Sequence, residues 1–284
     1  MRALARDFSC ALRPDTVPFS QRSALDVVVS GIMRAMDGPA GNNAPVPRCE
    51  RPRPRTPIAF AHRGGATSRD EQNTLAAFAR AVALGSGIES DVWLTADGVP
   101  VLIHRSPLSR SRPVRTLRRR ELPSHVPSVD ELYAQFGAGF DLSLDMADPD
   151  AAEAVVDSAA ARGALDRLWL THWRFPVVAE WRRRWPEVRL VFPTLLIGSA
   201  RRTTTLLDRL AAIEVDAVNV FHHRLGAQVV TGAHQRGLLA FAWGVRRRRG
   251  IEGALRRGAD GIFADDVAAL VAAVQAADRA RSGA

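Results

Sequence analysis

Lysine is missing from this 284-residue sequence: all 39 basic residues are arginine. Set against 30 acidic residues they leave a formal charge of +9, which favours anionic partners such as phosphate esters or anionic headgroups without choosing among them. Cysteine is nearly missing too. Cys10 and Cys49 both fall in the N-terminal fifth, so no disulfide framework can run through the rest of the chain. No uncharged apolar run reaches about 18 residues, so no segment reads as a transmembrane helix. The best N-terminal apolar stretch, Ala24 to Met33, carries Asp26 in its middle and does not resemble a secretory signal. A cytoplasmic protein is the expectation, with peripheral contact to anionic membrane as the one membrane role left open. A Gly-x-Ser-x-Gly elbow, a P-loop and Cys/His zinc spacings are also absent, which argues against a serine hydrolase, an NTPase and a zinc enzyme. No aromatic residues interleave with the arginines of the stretches 105–120 and 246–249, so nucleic acid is not an expected partner.

What is present suits a globular chain. Hydrophobic positions make up 46% and charged positions 24%, which fits one large domain or two small ones with a sizeable core. Residues 1–56 stand apart. Pro39, Pro45, Pro47, Pro52 and Pro54 read as an extended tether, and Leu25, Val28, Val29, Ile32, Met33 and Met36 give Ser23–Met36 a helical spacing within an extension that lacks its own core.

From Pro57 to Ala284 short apolar runs alternate with helical stretches. Strands are expected at Ile58–Ala61, Gly87–Val92, Phe140–Met146, Arg167–Thr171, Arg189–Phe192, Ala217–Phe221, Leu239–Trp243 and Gly261–Ala264. Helices are expected in most of the gaps, among them Thr74–Leu84, Asp150–Ala161, Val177–Trp185 and Thr203–Ala212. Alternation of this kind builds right-handed βαβ units and a parallel sheet. Eight such strands over this length predict a (β/α)8 TIM-type barrel, with a doubly wound open sheet as the alternative. One segment breaks the alternation. Asp91–Thr95 and Val99–His104 are separated only by Ala96-Asp97-Gly98, a turn signal too short for a crossover helix. A hairpin insertion after the second strand therefore returns His104 to the rim that Asp91 faces.

The reactive residues gather at strand ends. The first strand ends in His62-Arg63-Gly64-Gly65, the second carries Glu89-Ser90-Asp91, and the third carries Asp145. In Glu-x-Asp both carboxylates share a strand face. Together with Asp145 they make an oxygen-rich site for one divalent cation, Mg²⁺ or Ca²⁺. His62 and His104 suit acid and base roles near neutral pH, and Arg63 offers a planar fork to phosphate oxygens. His172, His222 and His223 follow other strands without an evident role, and His125 and His234 read as surface or helix positions.

The order and spacing of these elements carry more than any one of them. His62-Arg63-Gly64-Gly65, Asn73-Thr74-Leu75-Ala76-Ala77-Phe78, Glu89-x-Asp91 and Thr95-Ala96-Asp97-Gly98-Val99-Pro100-Val101 running to His104 together resemble the glycerophosphodiester phosphodiesterase family, a PI-PLC-like phosphodiesterase barrel. The likeness continues through Val126–Leu132, Leu142–Met146, Ala242-Trp243-Gly244-Val245 and Ala259–Asp265, and so covers nearly all of 57–284 and none of the extension. It implies a metal-dependent enzyme of lipid metabolism that splits glycerophosphodiesters into glycerol 3-phosphate and an alcohol. On that likeness His62 and His104 are the acid/base pair, Glu89, Asp91 and Asp145 the metal ligands, Arg63 a phosphate contact and Trp243 a wall of the substrate pocket. The family's mechanism implies attack by the substrate's own 2-hydroxyl, giving a cyclic phosphate that water opens.

The sequence departs from the family pattern in informative places. Gln72 stands where a glutamate usually precedes Asn-Thr, with Glu71 one residue off. Arg105 stands where an aspartate usually follows the second histidine. Asp145-Met146-Ala147 lacks the usual lysine, and Asp145 is one methylene shorter than the usual glutamate. The mouth is thereby about two charge units more positive than the pattern, and Arg105 is expected to contact substrate in place of the lysine. Arginine clusters at 105–120 and at Arg246–Arg249 are expected around the same mouth, where they would concentrate anionic substrate. Two further readings stay open: a lysophospholipase D-type enzyme acting on a lipid-bearing diester, and a catalytically impaired barrel that binds anionic phosphodiesters or membrane surface.

Overall fold

The computed structural model describes residues 53–105, 112–195 and 199–282. The helix expected at Ser23–Met36, both cysteines and Arg110 lie outside them. Among the described residues nine strands run in chain order: β1 (Ile58–Ala61), β2 (Gly87–Leu94), β3 (Pro100–Leu102), β4 (Leu142–Met146), β5 (Leu168–Thr171), β6 (Arg189–Thr194), β7 (Ala217–Phe221), β8 (Leu239–Val245) and β9 (Gly261–Ala264). All but β3 pair in parallel, in the order β1-β2-β4-β5-β6-β7-β8-β9, and β1 pairs with both β2 and β9. That double pairing closes the sheet. The architecture is the expected (β/α)8 barrel, and the open-sheet alternative falls because neither β1 nor β9 is an edge.

Helices fill the crossovers: α1 (Leu75–Ala83), α2 (Val129–Phe136), α3 (Ala152–Ala160), α4 (Phe175–Arg184), α5 (Ala200–Ala212), α6 (Ala227–His234), α7 (Arg248–Arg256) and α8 (Val267–Ser282). Several begin where the sequence supplies an oxygen for the orphan amides of the first turn. Thr74 accepts from the Ala77 amide at the start of α1. Ser128 and Glu131 form a reciprocal capping box on α2. Helix α1 then buries Ala77, Phe78 and Ala81 against the sheet, one stripe of a 3.6-residue period.

The barrel interior below the mouth is a plug of inward side chains from alternate positions: Phe60, Trp169, Val191, Ala217, Leu239, Phe241 and Phe263. Phe60 stacks on Phe263 with centroids 4.6 Å apart, and Trp169 tilts against Phe241 at 5.2 Å. Gly261 makes this possible. A Cβ there would lie 2.7 Å from the Phe241 ring. The plug is solid, so the chemistry is confined to the end of the barrel above it.

The hairpin forms as expected. β3 pairs antiparallel with β2, with Val92 opposite Leu102 and Leu94 opposite Pro100. The turn is held by the Gly98 amide on the Thr95 carbonyl at 3.0 Å and the Val99 amide on Thr95 Oγ1 at 2.9 Å, with Gly98 at φ 77°. A small separate core of Val101, Val114, Leu117, Leu122 and Val126 packs beneath it. Some boundaries differ from the sequence expectation. β4 starts at Leu142 rather than Phe140, because the Asp141 carboxylate turns to accept Trp169 Nε1 at 2.8 Å while Phe140 packs in the outer core. The return strand stops at Leu102, leaving His104 two residues beyond it. Among the described residues no helix is long and apolar enough to cross a membrane.

Candidate active site

Strand parity and register bring the three carboxylates together. Glu89 and Asp91 face inward on β2, and parallel pairing sets Asp91 opposite Asp145 on β4. Oxygens of all three lie within 4.8 Å of one another. Three carboxylates that close repel strongly without a cation. Desolvation by the surrounding mouth groups and then the charges of Glu89 and Asp91 push the Asp145 carboxyl well above the ordinary range, although its side chain is exposed at the rim. Burial likewise raises Glu89, with Asp91 adding to the effect and His62 opposing it. Burial would raise Asp91 too, but the hydrogen bond and charge of His104 outweigh it and hold Asp91 low. An all-oxygen donor set of this kind fits a hard divalent cation.

Immediately after β1 the chain turns sharply through His62–Gly64 with Arg63 at φ 51° and Gly64 and Gly65 also left-handed. At the two glycines side chains are excluded on two grounds. The backbone angle disfavours them, and a Cβ on Gly65 would sit 2.1 Å from Val267 Cγ2. The turn presents the Arg63 amide to Glu89 Oε2 at 2.8 Å. Its guanidinium lies 3.6 Å from Asp91 and donates to Gln72 Oε1 at 3.2 Å. Gln72 therefore keeps the acceptor a glutamate would offer and drops the charge. Glu71 faces elsewhere, receiving Arg80 at 3.0 Å and Thr67 at 2.9 Å. Arg63 Nε is buried without a hydrogen-bond partner.

Each rim histidine is tied at Nδ1 to a carboxylate. His62 Nδ1 lies 2.6 Å from Asp265 Oδ1, and His104 Nδ1 lies 3.1 Å from Asp91 Oδ2. Asp265 is held below the usual carboxylate range by its bond to His62, so both partners are ionised and accept only. Nδ1 must then carry the proton in both rings, and Nε2 is left as the basic nitrogen. Burial alone would lower His62, but the Glu89 charge and the Asp265 bond prevail and raise it. Asn73, buried and left-handed at φ 59°, donates to Asp91 Oδ2 at 3.4 Å and accepts from Ser90 at 2.9 Å.

The site residues singled out in the sequence can now be placed. His62, Arg63, Glu89, Asp91, His104 and Asp145 converge at the mouth. Trp243 is partly buried beside the barrel plug, with its Nε1 unpartnered. Arg105 is exposed, on the wall of a cavity that His104 and Arg63 also line. Asp265 and Asn73 carry positioning bonds that the sequence did not assign, although both lie within the motifs quoted above. His172 turns away from the mouth, stacks on Trp173 and is lowered to about 4 by burial. His234 caps the opposite end, 2.7 Å from the buried Asp260 that also receives Arg53 and the Ala240 amide. The arginine clusters are partly neutralised: Arg112, Arg115 and Arg119 pair with Glu121, Asp148 and Glu131. Arg246 comes within 4.0 Å of Asp265, while Arg248 and Arg249 enter α7.

Known proteins resemble this chain. A model of the glycerophosphoryl diester phosphodiesterase family matches residues 62–146 and 143–269, most of the chain and all of the site. The chain belongs to that family. The phosphodiesterase is 24% identical over 241 residues to a glycerophosphodiester phosphodiesterase of Caldanaerobacter subterraneus, covering 75% of this chain and 96% of the relative. It is 44% identical to human glycerophosphodiester phosphodiesterase 1 over 73 residues, which span 24% of this chain and 22% of the human protein. Its fold matches an Oleispira antarctica phosphodiesterase solved with the product sn-glycerol-3-phosphate, at TM-score 0.65 and 21% identity, over 78% of this chain and 97% of that one. A Galdieria sulphuraria structure matches at TM-score 0.67 and 18% identity, over 77% and 98%. The chain is thus a phosphoric diester hydrolase acting on a small-molecule phosphodiester.

Proposed function

We propose that the chain hydrolyses glycerophosphodiesters to glycerol 3-phosphate and an alcohol, with a divalent cation at Glu89, Asp91 and Asp145 and with His62 and His104 as the acid/base pair. One observation carries the reading: the two histidines, each fixed at Nδ1 by an ionised carboxylate, share a mouth with three convergent carboxylates. The bound cation, Mg²⁺ or Ca²⁺, supplies charge neutralisation for the phosphoryl oxygens.

The chain's own residues account for the proton traffic. Nε2 of one histidine takes the proton of the glycerol 2-hydroxyl as that oxygen bonds to phosphorus. The other, protonated, gives its Nε2 proton to the alkoxide as the phosphorus–oxygen bond to the head group breaks. The roles then reverse: water adds to the cyclic phosphate, losing its proton to one histidine, and the 2-oxygen regains a proton from the other. Asp265 and Asp91 hold the rings in the required tautomer and stabilise each imidazolium as it forms. Arg63, whose Nε faces Asp91 at 3.6 Å, offers the outer part of its guanidinium fork to a phosphoryl oxygen, Arg105 adds positive charge one residue past His104, and Trp243 walls the pocket. The interior-facing Thr171, Asn219 and Trp243 each hold a buried polar atom without a partner, which suits a hydroxylated substrate entering the mouth.

Phosphorus NMR with glycerophosphocholine, glycerophosphoethanolamine, glycerophosphoglycerol and a lysophospholipid tests the reading, each with Mg²⁺, with Ca²⁺ and with chelator. Chelator-sensitive release of glycerol 3-phosphate, lost in His62→Ala, is expected. Release of lysophosphatidate instead would move the substrate to a lipid-bearing diester. Absence of turnover with every substrate and metal would leave a barrel that only binds.

A further inference from the structure

Beside the mouth, on the hairpin side, lies a cavity of about 260 Å³. Arg63 and His104 form its inner wall, so it opens directly onto the place where phosphodiester chemistry occurs. Arg69, Arg105 and His125 stand around it, with Asp70 as the only carboxylate among the described residues that line it, and Leu102, Ile103 and Val126 supply its apolar lining. Three guanidinium groups against one carboxylate make it strongly cationic. Arg69 and Arg105 are exposed and form no ion pair among the described residues, unlike Arg112, Arg115 and Arg119 nearby. Two of the departures from the family pattern, Gln72 and Arg105, line this same cavity. Both shift its charge in the positive direction. Its volume falls below the range of about 300–1,000 Å³ usual for drug-sized ligands, so it suits a compact polar head group rather than an acyl chain.

We infer that this cavity receives the head group leaving from the phosphodiester, and that it selects head groups carrying a second anion, a phosphate monoester or a carboxylate. The inference rests on the hydrolytic reading above for the position of the scissile phosphate. Arg63 serves the scissile phosphate, while Arg69 and Arg105, on the outer wall, meet the second anion. A choline head brings a cation to the same arginines and is disfavoured.

The test compares three diesters alike except for charge: glycerophosphoglycerol, the same compound phosphorylated on its distal hydroxyl, and a diester with a glycerate head. At low ionic strength the anionic heads should exceed the neutral one by about tenfold in kcat/KM, the scale of one to two solvent-exposed charge pairs. That ratio should shrink as salt rises. Arg69→Ala and Arg105→Ala should each reduce it, and together bring it close to unity. Because the readout is a ratio of two substrates on one preparation, partial misfolding of a variant does not imitate the effect. The phosphate and glycerate arms identify which anion is preferred, and a preference for either supports the inference. Calorimetric titration of the same diesters into His62→Ala with Mg²⁺ measures the preference without turnover. Equal affinities there, or equal kcat/KM values, overturn the inference while leaving hydrolysis intact. Tighter binding of anionic heads by a chain that cleaves none of the diesters would sink the hydrolytic reading and keep the cavity's role.

Discussion

Replacing Asp265 by asparagine keeps the side chain's shape and removes its charge, which isolates what the bond to His62 contributes. The contact is short, 2.6 Å between Oδ1 and Nδ1, and it sets which nitrogen of His62 is basic. A hydrogen bond to a charged group is worth about 1.5–3 kcal/mol net. Here both partners meet solvent, with side-chain exposures of 36% and 43%, so screening places the loss at the lower end. About 1.5 kcal/mol of lost transition-state stabilisation is about tenfold in kcat/KM. The variant should also move the pH profile. Asp265 raises His62, so its removal lowers that pKa, and a limb governed by His62 deprotonation shifts to more acid pH. A cation at the carboxylates offsets the Glu89 contribution to that shift and leaves the Asp265 bond in place. Initial rates with glycerophosphoglycerol from pH 5 to 9, for the parent, Asp265→Asn and Asp265→Glu, provide the assay. The glutamate variant should recover part of the rate because it restores the charge. An asparagine variant with the parent's kcat/KM and an unmoved profile would refute the positioning role.

Three further outcomes follow from the same structure. Mg²⁺ or Ca²⁺ at about a hundred times its dissociation constant should stabilise the fold by about 2.7 kcal/mol. Asp145→Asn should abolish that response while leaving the metal-free protein at least as stable, since desolvation, Glu89 and Asp91 all oppose the Asp145 charge; thermal unfolding with and without chelator reads both, and a parent indifferent to both metals would remove the site. Buried His172, lowered to about 4 from 6.5, stays neutral in the folded chain while the unfolded chain gains a proton. Its stabilising contribution is full above pH 6.5 and falls by about 3 kcal/mol as pH drops towards 4. Urea unfolding across that window should show a steeper pH slope in the parent than in His172→Phe, and equal slopes would contradict the assignment. Trp169→Ala, at the centre of the barrel plug and fully buried, should cost about 3–5 kcal/mol in the same urea assay; a loss under about 1 kcal/mol, roughly one methylene's worth, would mean that the plug collapses around the gap.

What could be read from the sequence was local. Period-two alternation puts Glu89 and Asp91 on one face whatever the rest of the chain does, and Asp97-Gly98 makes a turn from its own backbone preferences. These two facts alone bring His104 back beside Asp91. Capping chemistry is equally local, and Ser128 with Glu131 opens α2 inside the motif Val126–Leu132. The strand boundaries that differed were set by partners remote in sequence. The Asp141 side chain is taken by Trp169, 28 positions on, a partner no window around Phe140 contains.

Asp265 makes the same point about function. It lies 203 residues from His62, and nothing in its neighbourhood marks it as the partner of a histidine. Only barrel closure does so. Because β9 pairs with β1 in register, Ala264 opposite Ala61, the residue after one strand necessarily stands beside the residue after the other. Once a closed barrel is expected, each strand-end carboxylate can be matched to a reactive group on the adjacent strand's end. That reasoning also locates Asp145 beside Asp91. The cavity wall resists such treatment. Arg69 and Gln72 come from the turn after β1 and Arg105 from beyond β3, and their meeting depends on loop conformation rather than strand register. Charge therefore accumulates where sequence periodicity is silent, and it is in these loops that one member of a barrel family can change its preferred substrate without disturbing the carboxylates and histidines that perform the reaction.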